Sequence, residues 1–110
     1  NLEIDLGGLE LGENDKRTPM ELSTTLMENI MITYAQQKQR NGLNEPERKM
    51  FYKLADSFEK ARADNVTSLD IEDEHLRFIR KCFRETPLMP NKLLRRVEEM
   101  LEASETSGGK

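Results

Sequence analysis

Thr18-Pro19-Met20-Glu21-Leu22-Ser23-Thr24-Thr25-Leu26-Met27-Glu28-Asn29-Ile30-Met31-Ile32-Thr33-Tyr34-Ala35 is the stretch on which the fold turns. Its first four residues spell a helix start. Thr18 can cap, Pro19 suits the first helical position, and Glu21 completes a capping box. Leu22, Leu26, Ile30 and Tyr34 then recur at steps of four, with Met27 and Met31 widening the stripe and Ile32 lying away from it. Between Leu22 and Ala35 the only charge is Glu28. A helix so neutral around its girth is either central to the subunit or covered by a second one. It has more apolar surface than three short partners need, so self-association through Met27, Met31 and Ile32 is expected.

Working outward, this helix runs to about Arg40, where Asn41-Gly42 is a plausible left-handed cap. Asn44-Glu45-Pro46-Glu47 opens a second helix with a cap, an early proline and an acid at the third position. Met50, Phe51, Leu54, Ala55, Phe58 and Ala61 fall on one face of it, and Lys49, Lys53, Asp56, Glu59 and Lys60 fall largely opposite. Asp64-Asn65 breaks the pattern. Residues 66–69 read as a short strand. Asp70 then suits the cap of a third helix ending near Arg84, with Glu72 and Asp73 in its first turn and Ile71, Phe78, Ile79, Cys82 and Phe83 inward. Thr86-Pro87 stops that helix, and a fourth spans Asn91 to about Ala103 with Leu93, Leu94, Val97, Met100 and Leu101 as its stripe.

On the N-terminal side, Leu2, Ile4 and Leu6 alternate with Glu3 and Asp5, and Leu9 and Leu11 flank Glu10 beyond Gly7-Gly8. Alternation on both sides of a Gly-Gly pair is a hairpin signal. Arms this short are marginal in water, so the hairpin needs helices to lie on or another strand, and residues 66–69 would serve as its third. The rival reading is an extended acidic arm. The expected fold is mainly α: a single domain over residues 1–103, of about four helices with a short N-terminal β-hairpin in residues 1–15, and a disordered tail at 104–110.

Composition agrees. The chain has 110 residues, of which 35% are hydrophobic and 35% charged, with no Trp and a net charge of -4. That is one domain with a thin core, which helices tolerate best because their outer faces carry charge well. One cysteine, Cys82, excludes an internal disulfide framework. No apolar run reaches membrane-span length and no signal-peptide order is seen, so an intracellular, cytoplasmic, soluble protein without membrane contact is expected.

Chemistry is sparse. His75 is the only histidine. Glu72 lies three residues before it, but a metal needs further ligands, and Cys82 is two turns away. A surface histidine beside an acidic helix start is the reading adopted. Residues 64–75 join two helices as a calcium loop would, yet Val66 takes a ligand position, Leu69 the turn glycine and His75 the bidentate glutamate. No nucleophile–base pair and no phosphate-binding glycine loop occur. Cys82 reads as a small core residue. Neither enzyme, metal nor cofactor is expected.

Charge segregation carries more. Arg77, Arg80, Lys81, Arg84, Lys92, Arg95 and Arg96 fall in one stretch with a single acid, Glu85, whereas residues 1–30 hold seven acids against Lys16 and Arg17. Such a surface meets an anionic partner, or else the two halves of one protein meet each other. The first function considered is a non-enzymatic protein-interaction, accessory or assembly factor. It would bind a protein partner, or itself as a homo-oligomer, through helical faces. The alternative is a small nucleic-acid-binding regulator in which helices three and four form a helix-turn-helix. Asn91, Lys92, Arg95 and Arg96 would face bases, with Arg77, Arg80 and Arg84 on phosphate. Against it stand the proline-containing linker, the acids Glu98, Glu99, Glu102 and Glu105, and the net negative charge.

The segments IDLGGLEL, TPMELSTTL, FYKLADSFEKA and LDIEDEHLRFIRK, in this order, resemble small uncharacterised helical proteins encoded by tailed bacteriophages and prophages. The resemblance spans most of residues 4–101. The chain departs from that pattern at Asp70, where Ser is expected, and in LMPNKLLRR. The resemblance implies a small accessory, assembly or host-interaction protein in the host cytoplasm or virion. It supplies no catalytic residues.

Overall fold

A computed structural model describes residues 2–7, 16, 18–38 and 42–108. The order is β1 (Leu2–Asp5), α1 (Pro19–Gln37), α2 (Glu45–Asp64), β2 (Ser68–Ile71), α3 (Asp73–Glu85) and α4 (Lys92–Gly108). The mainly helical class and the four helices are those expected from the sequence. Helix α1 is the hub, packing against α2, α3 and α4.

Local chemistry sets the helix ends. Thr18 Oγ1 accepts from the Glu21 N–H at 3.2 Å, and Pro19 follows in the first turn. In α2 the full box forms: Asn44 Oδ1 accepts from Glu47 N at 2.9 Å, and Glu47 Oε1 accepts from Asn44 N at 3.3 Å. Helix α2 stops at Asn65, which is left-handed at φ 55° and ψ 42°, a conformation that Asn tolerates better than most side chains. Helix α1 stops three residues earlier than the sequence suggests, at Gln37. Gly42 has the positive φ expected of it, whereas Asn41 lies outside the described residues.

The sheet differs in detail. β1 pairs antiparallel with β2, Leu2 opposite Ile71 and Ile4 opposite Leu69. β2 is thus the expected third strand, shifted two residues toward the C-terminus. The other hairpin arm, with Leu9 and Leu11, lies outside the described residues. The shift takes Asp70 into the strand, so it does not cap α3. Glu72 occupies the cap position instead, without a side-chain cap bond. Strand alternation fits this: Ile71 is buried and Asp70 faces out. Pairing continues through Leu6 N–H to Thr67 O at 2.8 Å.

Ile4 and Leu6 are fully buried under α4, and Ser23 Oγ of α1 donates to Leu6 O at 3.3 Å. The central core is Tyr34, Leu54, Phe58, Leu76, Ile79 and Cys82. Helix α4 continues past Ala103 to Gly108, so residues 104–108 are not the expected tail. Ser104 is buried and donates to Met100 O at 2.9 Å, and Glu105 pairs with Arg80.

Candidate partner-binding cleft

Helix α3 turns one face inward through His75, Leu76, Phe78, Ile79, Cys82 and Phe83. Arg77, Lys81 and Arg84, at spacings of four and three, line a cleft of about 380 Å³ against the start of α2. Pro46, Met50 and Phe78 give it apolar walls, and Asn44, Glu47 and Glu74 complete it. Arg77 and Arg84 are exposed, and the Lys81 side chain is 39% exposed.

Glu47 is the acid that holds this cleft together. It is 7% exposed, yet charged groups and donors surround it. Tyr34 Oη donates to Glu47 Oε2 at 3.2 Å, and Lys81 Nζ lies 3.4 Å from the same oxygen. Burial pushes the carboxyl up. The Asn44 N–H outweighs it, together with the Lys81 and Lys38 ammonium groups and the Tyr34 hydroxyl, and the carboxyl is held below its ordinary value. Lys38 lies over the Tyr34 ring, 4.7 Å from its centroid. Sequence reasoning found Glu47 only as a capping acid. Its second role depends on Tyr34, whose place at the end of the α1 stripe was the available signal.

The other basic residues do not join this cleft. Arg80 turns toward α4 and pairs with Glu105. With Arg84, Phe83, Leu101, Glu98 and Glu102 it lines a separate cleft of about 260 Å³. Lys92 and Arg95 line a recess of about 410 Å³ beside Leu88, Met89 and Pro90, and Arg95 Nε lies 3.4 Å from Glu99 Oε1. Arg96 is exposed. The continuous basic stretch is therefore divided among three places by the helical turn and the α3–α4 linker. Arg80, Lys81 and Arg95 pair with Glu105, Glu47 and Glu99 respectively, while Glu28 pairs with Arg62 at 3.4 Å.

Met27 and Met31 are completely buried, so they cannot present a surface to a second subunit. Only Ile32 of that trio is exposed, at 38%. The neutral girth of α1 reflects its central place among three helices. His75 is likewise not a surface residue: it is buried, with Nε2 3.7 Å from Glu72 Oε2. Among the described residues, no three His, Cys, Asp or Glu side chains come together to hold a metal ion. Residues 64–75 form a helix cap and strand β2, not a cation loop. Cys82 sits in the core, and burial pushes its thiol up to about 12.

No family model, curated protein or solved structure matches the chain. Among the described residues no helix is long and apolar enough to cross a membrane.

Proposed function

We propose that this chain is a small non-enzymatic protein-interaction module, an accessory or assembly factor, that takes an acidic segment of a protein partner in the α2–α3 cleft. The observation that carries this reading is the row Arg77–Lys81–Arg84 beside the apolar side chains Pro46, Met50 and Phe78. Cations flanking apolar ground suit a peptide that brings both carboxylates and a hydrophobic side chain. The buried Glu47 partly neutralises Lys81, which leaves Arg77 and Arg84 as the cations a partner meets. A Cys82 thiol pushed up to about 12 stays protonated at neutral pH and is unsuited to nucleophilic work. A nucleic-acid backbone is disfavoured because Glu98 shares clefts with Arg80, Arg84 and Arg95.

The test is capture by the immobilised chain, read by mass spectrometry, beside mobility shifts of duplex and single-stranded probes. Arg77→Glu/Arg84→Glu alters two exposed side chains and should abolish capture of a protein that the wild type retains, and added salt should weaken that capture. No probe should shift at physiological salt. Capture unchanged by the double variant removes the cleft from consideration. A salt-sensitive probe shift lost in Arg95→Ala/Arg96→Ala makes the regulator reading the better one.

A further inference from the structure

One face of α2 carries a stripe in which Arg48, Tyr52 and Glu59 are exposed and Ala55 is half-buried. Arg48, Tyr52, Ala55 and Glu59 follow at spacings of four, three and four. Eleven residues of helix return to within about 20° of the starting direction, so Arg48 and Glu59 face the same way about 16 Å apart. Tyr52 between them is 62% exposed, more than any other large hydrophobic side chain among the described residues except Met89. Its neighbour Phe51 meets it edge to face, with ring centroids 6.0 Å apart. Beside them lies a recess of about 260 Å³ walled by Ala35, Leu43, Phe51 and Tyr52. That is below the roughly 300–1,000 Å³ of small-molecule sites. A side chain fits this space better than a ligand does.

The neighbouring outer surface of α1 adds apolar and uncharged ground. Ile32 is exposed there, and the one acid between Leu22 and Gln37, Glu28, is occupied by Arg62. Tyr52 is of a residue type enriched at interface centres, and Arg48, Lys49 and Asp56, one helical turn away, supply a charged rim around it. Arg48 and Glu59 are both exposed, and neither forms an ion pair with another described residue.

We infer that the occupant of this face is a second copy of the same chain, with α2 laid antiparallel on α2 about a two-fold axis between residues 53 and 54. The stripe is complementary to itself: a cation at one end, an anion at the other, apolar ground between. Two-fold symmetry therefore sets Arg48 of each copy against Glu59 of the other and brings the two Tyr52 rings together near the axis. None of Arg48, Tyr52, Ala55 and Glu59 lines the α2–α3 cleft, so the inference does not rest on the partner proposed there.

Sedimentation equilibrium over low to high micromolar concentration tests it. The wild type should dimerise reversibly. Arg48→Glu and Glu59→Arg should each weaken the dimer by roughly tenfold or more, because each breaks two symmetry-related pairs and opposes like charges. The double swap Arg48→Glu/Glu59→Arg should restore association. It also places an acid nearer the α2 N-terminus and a base nearer its C-terminus, the sense the helix dipole favours, so folding is retained. Arg77→Glu/Arg84→Glu should leave the dimer intact. A monomer throughout the range overturns the inference. So does a dimer indifferent to Arg48→Glu, or a double swap no stronger than the single variants.

Discussion

Replacing Glu47 by Ala removes the group on which three elements converge, and the cost can be worked from its contacts. Tyr34, 2% exposed, loses the acceptor of its hydroxyl. A buried donor left unmade costs about 1–3 kcal/mol. The reciprocal half of the α2 capping box is lost as well, worth on the order of 0.5–1 kcal/mol. The Lys81 pair adds about 0–1 kcal/mol at most, since water reaches 39% of that side chain. Together these give about 1.5–5 kcal/mol, a large share of the roughly 5–15 kcal/mol that holds a domain of this size. Glu47→Gln keeps one acceptor oxygen, for the Asn44 N–H, and its amide NH2 can donate to Tyr34 Oη, so it should cost less than the Ala variant, about 1–2 kcal/mol. Urea denaturation at pH 7 measures both. The pH dependence gives a second reading. A folded carboxyl held below the ordinary 4.5 contributes stability that is fully present above that value. The contribution is lost as pH falls through the lower native value, so wild type and Glu47→Gln should converge in acid. Equal losses in the Ala and Gln variants, or a loss under about 1 kcal/mol in Glu47→Ala, would refute the reasoning.

Other outcomes follow from single positions. Asn65→Gly should change stability by a few tenths of a kcal/mol, whereas Asn65→Val should cost about 1–2 kcal/mol in the same urea assay, since a β-branched residue resists the left-handed cap. Cys82 should resist a thiol–disulfide exchange reagent at pH 8 in the native protein and react at the rate of unfolding; immediate stoichiometric reaction would contradict its place in the core. Ile4→Ala, at a fully buried site, should cost about 2–5 kcal/mol and lower hydrogen-exchange protection at residues 68–71 more than in α1.

Helices α1 and α2 were legible because their starts are written in short-range chemistry, and α3 and α4 from their apolar periodicity. Thr18-Pro19 and Asn44-Pro46-Glu47 satisfy backbone N–H groups within one turn, wherever the rest of the chain lies. What depends on distant contacts was not legible. Asp70 has the composition of a cap, but pairing of β2 with a strand more than sixty residues away takes precedence. The polar composition of residues 104–108 hides a helix whose Ser104 satisfies its own hydroxyl and whose Glu105 finds Arg80. Periodicity identified Met27 and Met31 as buried without saying by what, and three helices of the same subunit suffice. The basic stretch is contiguous in sequence but turns through several helix faces. Only the row at 77, 81 and 84 reaches the α2–α3 cleft as a unit, and its organising acid, Glu47, comes from another helix.

The pairing of β1 with β2 also imposes an order in time. Asp5 meets Ser68, so the first strand made waits for at least 63 further residues before its partner exists. At roughly 5–20 residues per second of synthesis, that is about 3–13 s during which Ile4 and Leu6 have no strand to pair with and no α4 to cover them. Helices α1 and α2, with their local caps, can form in microseconds or less once the chain is free. The opening segment is therefore the last to be secured, a clasp fastened after the body it closes. A chain arrested before residue 68 should present that apolar strand to chaperones or to other nascent copies, while the folded protein keeps it beneath α4.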